Sequence, residues 1–171
     1  TANITISGAI NVTDSIDSYP DTDGDGDIDG PWADGSDRYG LRVTGPLPLT
    51  GNITITSTAG IVVEGDNSYG VSLETDLIGN LTSNGAIRAV GTNSVGIRTT
   101  GAVDGDVFIG RSVTANGENA TAVSLGGDIS GRLTLQGTIS ATGYRYTTRP
   151  SAEATAKLEA EDMLQSRAAV I

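Results

Sequence analysis

Between Pro20 and Pro31 the chain reads Asp21-Thr22-Asp23-Gly24-Asp25-Gly26-Asp27-Ile28-Asp29, with a carboxylate at every second position. Alternating carboxylates around a glycine bend can converge on one hard cation, and a cation that takes about six to eight oxygens is calcium. Asp21, Asp23 and Asp25 supply three carboxylates, and Gly26 permits the sharp turn. The Asp27 carbonyl adds an oxygen, and Asp29 acts directly or through a water. The plainer alternative is an acidic loop that is merely solvated.

The Asp-x-Asp-x-Asp-Gly spacing, with an aliphatic residue at Ile28, resembles an EF-hand-like calcium loop. It departs from that pattern at Trp32, which stands where such a loop carries its bidentate Glu. Either Asp34 or Asp37 takes that role, or the site is weaker and wetter. No helical pattern flanks the loop, so the expectation is a structural clip rather than a sensor.

Elsewhere the chemistry is thin. There is no Cys and no His, which removes thiol nucleophiles, imidazole bases and the usual zinc ligands. Carboxylates that could cut a glycan from neighbouring repeats are Asp76, Asp104, Asp106 and Asp128, with Arg132 as a basic partner. Glu64, Glu74 and Glu118 are further candidates. Their spacing scatters them over turns and solvent-facing positions, and aromatics make up only 4% of the chain, too few for a sugar-stacking cleft. No catalytic residue is assigned, and the chain is read as a non-enzyme. The net charge of −11, with Lys157 the sole lysine, opposes binding to nucleic acid or to an anionic membrane surface.

The elements that carry the loop follow from an internal repeat. Gly51-Asn52-Ile53, Gly79-Asn80-Leu81, Gly105-Asp106-Val107 and Gly131-Arg132-Leu133 recur at spacings of 28, 26 and 26 residues, and Ala2-Asn3-Ile4 is an earlier copy. Such a period marks a solenoid. Three apolar columns recur in register. The first is Ile4, Ile53, Leu81, Val107 and Leu133. The second is Ile10, Ile61, Ile87, Val113 and Ile139, each followed two residues later by the smaller Val12, Val63, Ala89, Ala115 and Ala141. The third is Leu41, Val71, Ile97, Val123 and Val170. Asn67, Asn93 and Asn119 align at a turn, where Asn tolerates a left-handed conformation and can bond to its neighbours above and below.

The fold class is therefore all-β: a right-handed parallel β-helix (solenoid) of about five three-stranded coils, one domain over residues 1–171. Residues 14–38 are read as an acidic loop insertion and residues 144–167 as a short helical insertion. Both sit at the turn between the second and third strands and so on one edge. Aligning the copies puts Asp14 where Gly65, Gly91 and Gly117 stand. Ser151 is the expected N-cap of a helix reaching Gln165, with Glu153 and Lys157 paired four apart. That helix either lies against the solenoid flank or docks another chain segment. The Asn-x-Thr triplets at Asn3, Asn11, Asn52, Asn80 and Asn119 fit glycosylation sequons, but turns and exposed strand faces call for the same residues, and they are read as structural.

No apolar run reaches the ~18 residues of a membrane helix, and the opening Thr1-Ala2-Asn3-Ile4 carries no basic leader, so a soluble, already processed chain is expected. The C-terminal Ala168-Ala169-Val170-Ile171 halts inside a strand, which suggests a fragment or an assembling subunit.

The Gly-Asn-Ile-Thr-Ile turn, the Gly-x-Asn-Ser-x-Gly loops at 65–70 and 91–96, and Ala-Ile-Arg-Ala-Val-Gly at 86–91 resemble the passenger region of bacterial autotransporters. The Tyr-Arg-Tyr-Thr-Thr-Arg-Pro run from Tyr144 and the acidic segment after it resemble parts of large alphaproteobacterial surface autotransporters. The resemblance implies export, passage through an outer-membrane barrel, and display on the bacterial outer-membrane surface or release as an extracellular protein. Membrane contact would then come only through a barrel outside these residues. The leading expectation is a structural or adhesive module with a calcium-ordered loop and a host or surface glycan or protein as ligand. The alternative is a self-assembling subunit of an extracellular filament or surface layer, joined end to end through open β-helix ends. A polysaccharide-processing enzyme is the third reading.

Overall fold

The computed structural model describes residues 2–13, 33–143, 151–156 and 167–171. The described chain is a parallel β-solenoid in which every strand pairs with the strand one circuit earlier or later. The first sheet stacks Ile4–Ile6, Ile53–Ile55, Leu81–Ser83, Val107–Ile109 and Leu133–Leu135. The second stacks Ala9–Val12, Gly60–Glu64, Ala86–Val90, Val113–Asn116 and Ile139–Thr142. The third stacks Tyr39–Val43, Tyr69–Leu73, Val95–Thr99, Thr121–Leu125 and Arg167–Val170. This amounts to four full circuits and a fifth to which each of the three sheets adds a strand.

The register follows the apolar columns. Ile4, Ile53, Leu81, Val107 and Leu133 are successive partners. So are Ile10, Ile61, Ile87, Val113 and Ile139, with Val12, Val63, Ala89, Ala115 and Ala141 two residues along. In a strand, residues i and i+2 share a face, so these side chains fill one narrow shaft. Ile53, Ile61, Val63, Val107 and Val113 are fully buried. Each such side chain contributes about 1.5–3 kcal/mol through burial. The 28-residue spacing comes from a longer turn between the first and second sheets of the second coil. There Ala59 N–H bonds to the Thr56 carbonyl (3.0 Å), and the Thr58 hydroxyl donates to the Ser7 carbonyl (3.2 Å).

The structure differs from the sequence reading in three places. A fourth, short sheet of Leu49–Thr50, Leu77–Ile78 and Val103–Asp104 turns the triangular section into a four-sided one, and Ile129 continues it by a bridge to Val103. Leu77 and Val103 are buried there, so the corner between the third and first sheets closes over the shaft instead of crossing as a loose turn.

The third strands also begin two residues before their apolar column, at Tyr39, Tyr69, Val95 and Thr121, and their second residue is small for a physical reason. A Cβ at Gly70 would meet Ile87 Cγ2 and the Gly96 carbonyl oxygen, both at 2.5 Å. Gly40 and Gly96 point at Ile61 and Val113 in the same way, and Ala122 continues their column, fully buried.

Lastly, Val123 pairs with Ala169, and Val170 pairs with Ser124 and is 45% exposed. Matching by residue type selects Val170. The column's register instead continues through Ala169, because Arg167 pairs with Thr121.

Candidate functional site

The carboxylates expected to hold calcium, Asp21, Asp23, Asp25, Asp27 and Asp29, lie outside the described residues, as do 144–150 and 157–166. What is described is the corner that carries them. Among the described residues the chain leaves the second sheet after Val12 and again after Thr142, and its next strand is in the third sheet both times, at Tyr39 and at Arg167. Both excursions therefore attach at the same corner of the prism. A helical turn, Ala152–Thr155, follows Ser151.

That corner is built from a Gly-Asx step. Ser36 bridges to Asp66, Asp37 N–H donates to the Asp66 carbonyl, and Asp66 N–H donates to the Gly35 carbonyl. Gly35 thus takes the place above which Gly65 and Gly91 follow, and residues 35–38 belong to the coil. Asp37, Asn67, Asn93 and Asn119 have φ of 57°, 49°, 56° and 52°. This is a left-handed column, which short polar side chains tolerate best after Gly. Asn93 Nδ2 donates to Asn67 Oδ1 at 3.2 Å, as a stacked ladder requires. Asp37, one of the two residues weighed for the missing calcium ligand, is the first rung of this column, and its carboxylate accepts from the Ser36 hydroxyl (3.1 Å).

A second ladder runs up the opposite corner. Asn3 Oδ1 accepts from Asn52 N–H (2.8 Å), Asn52 Oδ1 from Asn80 N–H (2.9 Å), Asn80 Oδ1 from Asp106 N–H (2.7 Å), and Asp106 Oδ1 from Arg132 N–H (2.7 Å). The preceding Gly51, Gly79 and Gly105 have φ of 143°, 147° and 156°. A Cβ at Gly79 would also strike the Gly51 carbonyl, which is why Gly recurs there. The recurring Gly-Asn or Gly-Asp pair was the available signal for this ladder, and the sequence reading placed the column without its hydrogen bonds.

Some of the residues considered for glycan cleavage are used in the same way. Asp76 Oδ1 accepts from Ala102 N–H (2.8 Å), and Asp104 Oδ1 accepts from the Ser130 hydroxyl (2.7 Å). Glu64 lies 3.5 Å from Arg88. Asp128 is exposed, in the column of Asp76 with Ala102 between them, and Glu118 is half-buried at the asparagine corner. Among the described residues no three of His, Cys, Asp or Glu converge as a metal-holding group.

The third sheet's outer surface carries a cluster that sequence reasoning left unassembled. Glu74 accepts from Arg42 through Oε2 (2.8 Å to Nη2) and from Arg98 through Oε1 (2.8 Å), while the Ser72 hydroxyl donates to Oε1 (2.9 Å). Tyr39 and Tyr69 stack at 5.1 Å, with Arg42 4.6 Å over the first ring and Arg98 3.8 Å over the second. Arg42, Glu74 and Arg98 come from three successive coils, so the group clamps them together. The hydrogen bond from Arg42 is the main reason the Glu74 carboxyl is held below the usual carboxylate range, against desolvation that pushes it up.

A depressed carboxyl stabilises the fold above its unfolded pKa, about 4.3, and that stabilisation is lost as pH falls through the folded value. Urea midpoints measured between about pH 6 and pH 3 should therefore fall more steeply in the native chain than in Glu74→Gln. The difference should be small, because Arg42 is half exposed and solvent screens the pair.

Ladders, clamp and shaft together define a parallel β-solenoid whose polar side chains tie coil to coil. No protein-family model, curated protein or solved structure matches the chain.

Proposed function

We propose that this chain is a non-enzymatic structural or adhesive module, displayed on a bacterial outer-membrane surface or released outside the cell as part of an autotransporter passenger. The observation that supports this reading best is how the acidic and amide side chains are used. Asn3, Asn52, Asn80, Asp106, Asp76 and Asp104 each accept a hydrogen bond from the next coil, and Glu74 joins three coils. Groups held this way stiffen a rod, whereas a glycan-cleaving site needs two carboxylates facing one bond. In this reading the rod carries both excursions at one corner, and calcium orders the acidic loop at the millimolar concentrations of an external medium.

A second reading, an end-to-end assembling subunit, is favoured by the shaft's terminal coils. Ile4, Ile6 and Ile10 in the first coil and Leu133 and Ile139 in the last are only partly buried, and Leu135 is 38% exposed. A further copy, or further coils of the same chain, would cover them.

Calorimetric titration of the full chain with calcium tests the loop. One calcium is expected to bind and to raise stability by about 3 kcal/mol at a hundredfold excess over Kd, and Asp23→Asn with Asp25→Asn should remove both effects. Absence of binding would leave only a solvated loop. Sedimentation in the same buffers separates the two readings, because growth with concentration would favour assembly. Release of reducing sugar from acidic polysaccharides would overturn both.

A further inference from the structure

Five of the nine asparagines are followed two residues later by threonine: Asn3, Asn11, Asn52, Asn80 and Asn119. The solenoid does not treat them alike. All five are exposed, but Thr121, which follows Asn119, is 7% exposed. At Asn52 and Asn80 the chain leaves the Gly corner extended. Ile53 and Leu81 turn into the shaft, so asparagine and threonine share the outer face. Thr54 and Thr82 are half exposed, and Thr5, which follows Asn3, is exposed.

The ladder at this corner uses one end of each amide. Asn3, Asn52 and Asn80 accept through Oδ1 from the next coil's N–H, and their Nδ2 atoms make no hydrogen bond to the described residues. Asn93, in the other ladder, donates through Nδ2 to Asn67, and neither Asn93 nor Asn67 has a threonine two residues on. At the Gly-Asn corner the acceptor triplet thus coincides with an amide nitrogen that no described residue engages.

We propose that the Gly-Asn corner is an N-glycosyl acceptor face, with Asn3, Asn52 and Asn80 each able to take a single hexose from a nucleoside-diphosphate-activated sugar. In the transfer Nδ2 forms a bond to the anomeric carbon. The anomeric carbon–oxygen bond breaks with its electron pair, the nucleoside diphosphate departs, and the Nδ2 proton passes to a base of the transferase. The product is still an amide with its carbonyl, so Oδ1 keeps its inter-coil bond and the ladder survives. Successive rungs are only about 4.8 Å apart, which suits single rings stacked along the rod and leaves no room for branched oligosaccharides.

The folded full chain is incubated with a nucleoside-diphosphate glucose and a soluble asparagine glucosyltransferase that modifies isolated peptides spanning 51–55 and 117–123, and the product is mapped by mass spectrometry. The proposal expects hexose at Asn52 and Asn80 and none at Asn119, with the thermal midpoint unchanged. Thr82→Val, an outward substitution, should remove hexose from Asn80 alone. Failure of the folded chain to accept sugar, modification of Asn119 as readily as Asn80, or retention of hexose at Asn80 in Thr82→Val would each overturn it. Peptides from the protein in its native source carry the same prediction. A single hexose at Asn52 or Asn80 supports the proposal; bare asparagines at both, or an oligosaccharide there, contradict it.

Discussion

Gly70→Val should strongly destabilise the fold, although Gly70 sits in a strand where valine is ordinarily favoured. Its backbone needs no unusual angle; the obstacle is space. The first added carbon would already meet the Gly96 carbonyl and Ile87 Cγ2 at 2.5 Å, and valine adds two methyl groups beyond it. The Gly96 carbonyl belongs to the next coil's backbone, which cannot retreat without breaking the parallel ladder between Tyr69–Leu73 and Val95–Thr99. Overpacking in a core that can adjust costs about 1–3 kcal/mol; here one contact is backbone, so a loss above about 3 kcal/mol is expected, a large part of a typical 5–15 kcal/mol. Circular dichroism and urea unfolding measure it. Gly60→Ala is the control. The nearest atom to a Cβ there is the Ala86 carbonyl at 3.8 Å, so its midpoint should move by no more than about 0.5 kcal/mol.

Ile87→Ala is expected to be the costliest truncation in the shaft. Ile87 is 1% exposed, lies between Ile61 and Val113 in the second sheet, and fills the space that Gly70 leaves open. Losing three carbons from such a site costs about 2–5 kcal/mol, the upper part of the range applying where neighbours cannot collapse. The ladders on either side hold the backbone at fixed separation, which favours that upper part. Thr114→Ala, at an outward position of the adjacent strand, should change the same urea midpoint by no more than about 0.5 kcal/mol.

The shaft could be read from the sequence because its columns are chemically uniform. Ile10, Ile61, Ile87, Val113 and Ile139 repeat one kind of residue at one spacing, and a common core is the only economical use for that. The left-handed asparagine column was legible for the same reason, since Asn67, Asn93 and Asn119 each follow a Gly by two.

Features that depend on contacts between unlike residues were harder to see. The fourth sheet rests on two-residue strands such as Leu77–Ile78, too short to show alternation, and its column of Leu49, Leu77, Val103 and Ile129 emerges only after the Gly-Asn steps are aligned and read backwards. The Arg42–Glu74–Arg98 clamp joins three coils through residues whose own columns are mixed, so no repeat announces it. At the insertion corner, aligning forward from the second strand gave Asp14, whereas the bridge from Ser36 to Asp66 identifies Gly35. A long insertion separates a coil from its own corner residue, and only the returning strand restores the match.

The corner also gives the molecule two unlike edges. One carries both excursions beside the Asp37 and asparagine column, where Asn93 Nδ2 donates to Asn67 Oδ1. The other carries the Gly-Asn ladder, whose nitrogens face solvent. A rod with a loop-bearing edge and a regular polar edge can present a ligand surface on the first and be modified on the second without either disturbing the shaft.

Disulfide trapping of side chains one circuit apart tests the stacking most directly, since the chain has no cysteine of its own. Thr114 and Ser140 are partners on the outer face of the second sheet, at a strand separation of about 4.8 Å that a disulfide can span. Thr114→Cys with Ser140→Cys should close rapidly under mild oxidation and leave the far-ultraviolet spectrum unchanged. Thr114→Cys with Thr134→Cys, whose second cysteine lies on the first sheet, should stay reduced. Equal closure of the two pairs, or closure of the second alone, would contradict the stacked coils.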